Sequence, residues 1–142
     1  MSCHRLFFAL AIAVIIVTPL ARSAEDTHVK GPAPAHIAMG QEVAIADYLV
    51  PGKTTVVDFY SEFCPDCRVI APKLAELHKN RADIAVVKVD INRPGVKGID
   101  WKSPVALQYK LHSIPQIEIF GPDGKLQAEG DAAYDRVVGW AK

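Results

Sequence analysis

The chain has 142 residues, half of them apolar, and its 16 basic and 16 acidic side chains leave no formal net charge. That length allows one domain with a real core, and a balanced charge without an aromatic-basic repeat excludes a nucleic-acid binder. Three cysteines are few enough that the position of each carries weight.

Residues 1–23 read as an export signal. Arg5 follows a short polar start, Leu6 to Val17 is almost purely apolar, and Ala21 and Ser23 provide a small pair before an expected cleavage after Ser23, with cleavage after Ala24 as the variant. The rival is an uncleaved membrane anchor, although the apolar run is shorter than the roughly 20 residues that span a bilayer. Cys3 precedes the apolar run, so it is not placed as a lipoprotein cysteine and leaves with the signal. The exported chain then keeps Cys64 and Cys67, and any internal disulfide must join them. The expected address is periplasmic or secreted, an oxidising compartment.

Residues 24–37, polar and broken by Gly31-Pro32-Ala33-Pro34, suggest a flexible lead-in to a domain over 38–142. Gln41 to Val50 suits a short helix or a strand with a turn, ending at Pro51-Gly52. The first firm strand is Thr54–Tyr60 and the second is Ile84–Asp90. Between them Ile70, Leu74 and Leu77 recur at helical spacing after Cys64, which makes a β-α-β unit with a right-handed crossover. Pro72 inside this pattern predicts a kink or a join of two shorter helices.

From Asn92 to Ser103 no period is sustained, and Arg93, Lys97 and Lys102 surround Trp101. Two readings stay open: a contact with substrate near the active site, and a surface insertion with Trp101 tucked against the core. Ser103-Pro104 is a good N-cap and first-turn pair for a short helix to Leu111. Ile114-Pro115 leads into a strand over Gln116–Phe120, Gly121-Pro122-Asp123-Gly124 turns it into an antiparallel partner over Lys125–Glu129, and Asp131 can cap a last amphipathic helix.

The chemistry concentrates at Cys64-Pro65-Asp66-Cys67. Pro65 suits a first helical turn, so Cys64 falls at a helix N-terminus, where unpaired N–H groups and the positive end of the dipole favour a thiolate, the nucleophile. A disulfide closing so short a loop restrains the unfolded chain by only about 2 kcal/mol, which argues against a purely structural bridge. Cys64 at the tip is the expected exposed attacker, and Cys67, one turn on and facing inward, the expected resolver. Asp58 and Lys88 are odd residues in apolar strands; if the strands are neighbours in register, the two side chains share a face as a partly buried pair. Asp66 in the first turn complements the dipole but opposes a neighbouring thiolate, which predicts a potential nearer the reducing end.

An aspartate in a central strand, an aromatic residue, C-x-x-C, a helix proline and a later Ile-Pro, here Asp58, Phe63, Cys64 to Cys67, Pro72 and Ile114-Pro115, together resemble the thioredoxin superfamily, in particular its exported, periplasmic members. The resemblance runs from about Gly52 to the C-terminus and departs where Phe63 stands for the usual tryptophan and Pro65-Asp66 for Gly-Pro. It implies an α/β, thioredoxin-like three-layer fold: a central mixed sheet flanked by helices. It also implies a cis bond before Pro115 that leaves the backbone of Ile114 free to hold a substrate strand, and a role for Asp58 as proton acceptor of Cys67, tuned by Lys88.

The function so implied is thiol–disulfide exchange with protein substrates, as a reductase recharged by a membrane thiol–disulfide donor, in a monomer contributing to cell redox homeostasis. No cofactor beyond the Cys64–Cys67 disulfide and no metal is expected. Phe63, Pro65, Asp66, Lys88, Ile114 and Pro115 are expected to support the catalytic Cys64, Cys67 and Asp58. The rival from another class is a metallochaperone in which Cys64, Cys67 and His112 hold one soft ion such as Cu(I). Other histidines are not expected to join it: His78, well down the helix, reads as a surface residue, and His28 and His36 belong to the lead-in.

Overall fold

Two long apolar strands lie side by side at the centre of the computed structural model, which describes residues 29–142. The elements are β1 (Ala35–Ile37), a 3₁₀ turn at Ile45–Tyr48, β2 (Thr54–Tyr60), α1 (Pro65–Asn80), β3 (Ile84–Asp90), α2 (Pro104–Gln108), β4 (Gln116–Phe120), β5 (Leu126–Glu129) and α3 (Gly130–Trp140). They form one five-stranded sheet in the order β1-β3-β2-β4-β5. β1, β3 and β2 run parallel, whereas β4 is antiparallel to β2, and β5 to β4. The expected signal over 1–23 lies outside the described residues, as do Cys3 and His28.

Alternation along the central strands produces the three layers. Val56 and Val86 face α1 and α3, meeting Ile70, Leu74, Leu77 and Val137, while Val57, Phe59, Val87 and Val89 face the other way onto Ile37, Ile45 and Val105. Fully burying a side chain of this size contributes about 1.5–3 kcal/mol, so both faces hold the sheet in place. Because successive strand residues point to opposite faces, Asp58 lies on the same side as Val56, towards α1. Pro72 is exposed on α1, and one helix runs continuously through it from Pro65 to Asn80 rather than two meeting there.

The lead-in differs from the expectation. Ala35–Ile37 is an edge strand paired with Val87, Lys88 and Val89, and the chain is tied to the domain even earlier. Lys30 Nζ donates to the Arg81 carbonyl at 2.6 Å, and His78 Nε2 lies 2.9 Å from the Gly31 carbonyl. His78 is accordingly not a surface residue. It is 2% exposed, and its Nδ1 accepts the Val86 N–H at 3.0 Å, which leaves the proton on Nε2 for Gly31. A three-residue strand has too few positions to show a period, and a histidine on an amphipathic helix looks polar until its two backbone partners are known.

Three smaller departures follow from local geometry. α2 stops at Gln108 rather than Leu111, where Lys110 takes a positive φ of 51°; its start is as expected, with Ser103 Oγ accepting the Ala106 N–H at 3.3 Å. β5 begins at Leu126 with a register shift against Ile119 and Phe120. Asp131 is not the cap of α3, since the cap position is Glu129 and Asp131 sits inside the first turn.

Candidate active site

β2 delivers the chain to the site and α1 carries it away. After Tyr60, the Ser61 carbonyl accepts the Cys64 N–H at 3.1 Å, and Ser61 Oγ accepts the Phe63 N–H at 3.2 Å, so a tight turn places Cys64 as the N-cap of α1. Pro65 follows in the first turn, where its missing N–H leaves no partner unsatisfied. Cys64 and Cys67 form a disulfide with their Cα atoms 5.3 Å apart. Cys64 Sγ also accepts the Cys67 N–H at 3.1 Å, so the sulfur already occupies the place where a helix start offers unpaired donors to negative charge.

The second wall is the loop before β4. The Ile114–Pro115 bond is cis, and the Ile114 carbonyl oxygen lies 3.6 Å from Cys64 Sγ. In the disulfide the sulfur has no proton to give, so this is a contact; a Cys64 thiol there would be a donor to the same oxygen. A groove of about 310 Å³ runs beside the loop between the first turns of α1 and α3, lined among others by Asp66, Val69, Ile114, Pro115, Asp131 and Tyr134.

One expectation is overturned here. Cys64 is not an exposed sulfur at a helix tip, because the residue is 3% exposed, against 2% for Cys67. The bridge holds the two sulfurs together, and the Ile114 backbone covers Cys64 from the side. Exposure passes to the neighbours: Phe63 is 38% and Val69 64% exposed, and Pro65 and Asp66 are at the surface. The two cysteines are told apart by position, N-cap against helix interior, rather than by access.

Behind the dithiol, Asp58 and Lys88 are paired in register across β2 and β3, and Lys88 Nζ is 3.4 Å from Asp58 Oδ2. Asp58 is fully buried, and neither carboxylate oxygen has a hydrogen-bond partner. Burial pushes its carboxyl up to about 6, against the pull of the Lys88 ammonium. α1 runs back along β2 in the crossover, so moving from Ile70 to Cys67 on the helix and from Val56 to Asp58 on the strand leads towards the same end of the core. This brings Cys67 and the buried carboxyl to one level on one face.

The sequence missed two members of this cluster. The Lys88 ammonium sits 4.1 Å above the Tyr60 ring, and the Tyr60 hydroxyl is 3.0 Å from His36 Nδ1 on β1. Burial, then the charges of Asp90, Asp58 and Glu62, push the Tyr60 phenol up to about 12. Burial first and Lys88 second lower His36, while Asp90 opposes them. A pointer existed in the two-residue step from Asp58 to Tyr60, which puts both on one face; nothing in the lead-in marked His36.

His112 does not join the sulfurs. It is exposed and lines a different cavity with Trp101 and Leu107, and among the described residues no three His, Cys, Asp or Glu side chains converge as a metal site. The copper-carrier arrangement is therefore not favoured. Trp101 is 38% exposed rather than tucked against the core.

Fold and site together define a protein that exchanges disulfides through its own pair of sulfurs. Comparison with known proteins agrees: the thioredoxin family model matches residues 41–140. A thioredoxin of Mycoplasmoides gallisepticum is 33% identical over 78 residues, 55% of this chain and 69% of that protein. A thiol:disulfide interchange protein TxlA homolog of Synechocystis is 33% identical over 90 residues, 61% of this chain but 46% of that protein. Among solved structures, the long form of thioredoxin f from spinach chloroplast superposes with a TM-score of 0.55 at 18% identity, over 76% of this chain and 83% of that one. The chain belongs to the thioredoxin family, and it is a protein disulfide oxidoreductase whose redox group is the Cys64–Cys67 disulfide.

Proposed function

We propose that the protein is an exported reductase of protein disulfides, working in the periplasm or outside the cell and recharged by a membrane thiol–disulfide donor. The observation that carries the chemistry is the Cys64–Cys67 disulfide at the start of α1, 3.6 Å from the Ile114 carbonyl and backed by a buried Asp58 without a hydrogen-bond partner. The export reading rests on the sequence of residues 1–23, and the direction of electron flow on Asp66, whose charge beside Cys64 disfavours the thiolate that makes a strong oxidant.

In the reduced protein, Cys64 attacks one sulfur of a substrate disulfide, forming a mixed disulfide and releasing the other substrate sulfur as a thiolate. Asp58 takes the proton of Cys67, and the Cys67 thiolate attacks Cys64 Sγ. The second substrate thiol leaves and the Cys64–Cys67 disulfide forms; two electrons from the donor then restore the dithiol. Since Cys64 is almost covered, the exposed Phe63, Pro65 and Val69 and the groove beside Pro115 supply the surface on which a substrate settles before sulfur meets sulfur.

The test has two parts. With dithiothreitol as donor, the protein accelerates insulin reduction and Cys64→Ser does not; equal rates would end the enzymatic reading. Cys67→Ser, expressed with residues 1–23 present, accumulates mixed disulfides in cell envelopes, and recovery from the cytosol alone would end the export reading.

A further inference from the structure

A second, larger cavity of about 530 Å³ is lined by Trp101, Ala106, Leu107, Lys110, Leu111 and His112, the last of these directly before Ser113 of the acidic groove in the chain. Its walls are mainly apolar, with Leu107 64% and Trp101 38% exposed, and none of its lining residues is acidic. Lys110 lies on its wall, and the exposed Lys102 follows Trp101 in the chain. The segment that presents Trp101 is braced from within. Arg93 holds Asp100 through two nitrogens, at 2.7 and 3.0 Å, and Asn92 Nδ2 donates to the Gly98 carbonyl at 2.6 Å while its Oδ1 accepts the Asp100 N–H at 3.3 Å. Both Asn92 and Asp100 are buried, so the tryptophan is displayed from a fixed platform.

We propose that this cavity docks an acidic, apolar stretch of the protein whose disulfide is exchanged at Cys64. Two observations select that occupant. First, the cavity continues the active-site wall: His112 on its rim is followed directly by Ser113 and Ile114, and the Ile114 oxygen touches Cys64. Second, the two cavities that share the His112–Ser113 step carry opposite charge, Asp66 and Asp131 in the groove and Lys110 in the cavity, so a segment that reaches across both is sorted by sign. Exposed aromatic and aliphatic side chains beside a cation fit alternating leucine and carboxylate residues.

The inference rests on the oxidoreductase reading and is tested apart from it. Two synthetic peptides carry the same internal disulfide, flanked on both sides by Asp-Leu-Glu-Leu or by Lys-Leu-Lys-Leu. Each is reduced with dithiothreitol as donor: Cys64 thiolate opens the peptide disulfide, Cys67 closes on Cys64 and frees the peptide dithiol, and dithiothreitol is oxidised in restoring the protein. The readout is the ratio of kcat/KM for the acidic over the basic peptide, which a general loss of folding moves little. Lys110→Glu and Leu107→Asp, both at exposed positions, lower that ratio on the order of fivefold each relative to the unsubstituted protein. A ratio unchanged in both variants overturns the docking inference while leaving the enzyme intact; reduction of neither peptide by the unsubstituted protein overturns both.

Discussion

Lys88 faces Asp58 across adjacent parallel strands at 3.4 Å, yet the carboxylate has no hydrogen bond and is held at about 6. Desolvation outweighs attraction here, because a 3.4 Å ammonium offers charge without making good the lost hydration of two oxygens. An ordinary aspartate would be ionised throughout the neutral range. This one changes charge just below it, at the value a base needs to take a thiol proton and give it back.

The first prediction concerns turnover. The rate of mixed-disulfide resolution rises with pH through about 6 in the native protein, and Asp58→Asn removes that rise. At pH 7 the variant is slower by a factor on the order of 10–100, read by stopped-flow loss of a mixed disulfide with a chromogenic thiol. Equal rates at pH 7 would take Asp58 out of the mechanism.

The same carboxyl sets a stability gradient, and its sign is opposite to that of a salt-bridged surface aspartate. The folded value, about 6, lies above the unfolded one near 3.8, so the folded state holds the proton more tightly. The stabilisation is complete below pH 3.8 and is lost as pH rises through 6, amounting to roughly 3 kcal/mol across that window. In Asp58→Asn the gradient disappears. Urea unfolding at pH 4 and pH 8 therefore shows the variant gaining on the parent at the higher pH, whatever constant offset comes from leaving Lys88 without its carboxylate.

How far the sequence revealed this site depends on the range of the interactions. The strand-helix-strand unit from Thr54 to Asp90 was legible because period, proline placement and turn residues agree, and Asp58 and Lys88 stood out as charges among valines. Tyr60 and His36 did not, because their role exists only once β1 is laid beside β3, a pairing that three residues cannot announce. His78 was misread for the same reason, since its partners Gly31 and Val86 lie 47 and 8 residues away. The near-complete cover over Cys64 comes in part from Ile114, 50 residues on, while the sequence indicated only the helix start.

His78 gives a prediction of its own. His78→Leu keeps the bulk but leaves the buried Val86 N–H without an acceptor and the Gly31 carbonyl without its donor. The first loss costs about 1–3 kcal/mol. The second frees the chain before β1, so limited proteolysis cuts near Gly31 faster than in the parent. A variant with unchanged unfolding midpoint and unchanged cleavage would show that neither bond matters.

A stabilising change is available on the far edge of the sheet. Glu118 and Glu129 stand opposite each other on β4 and β5, and burial followed by the Glu129 charge raises the Glu118 carboxyl. Like charges directly across an antiparallel pair repel, so Glu118→Gln, which removes the half-buried charge and leaves Glu129 at the head of α3, stabilises by about 0.5–1 kcal/mol at pH 7. The gain shrinks in high salt, where a change acting through packing would persist.

The last prediction bears on the potential. Asp66 is exposed in the first turn of α1, two residues from Cys64, and its carboxylate opposes the helix-end charge that favours a Cys64 thiolate. Removing that charge in Asp66→Asn stabilises the reduced form and makes the protein a stronger oxidant. At a surface site the effect of one charge is about 0.5–1 kcal/mol, equivalent to a rise of roughly 10–20 mV for the two-electron couple. Equilibration against glutathione at fixed pH measures it, and Asp66→Lys continues the trend in the same direction. A fall in potential, or no change in either variant, would mean that the charge of residue 66 does not set the potential through Cys64 and that Asp66 gives no support to a reductase.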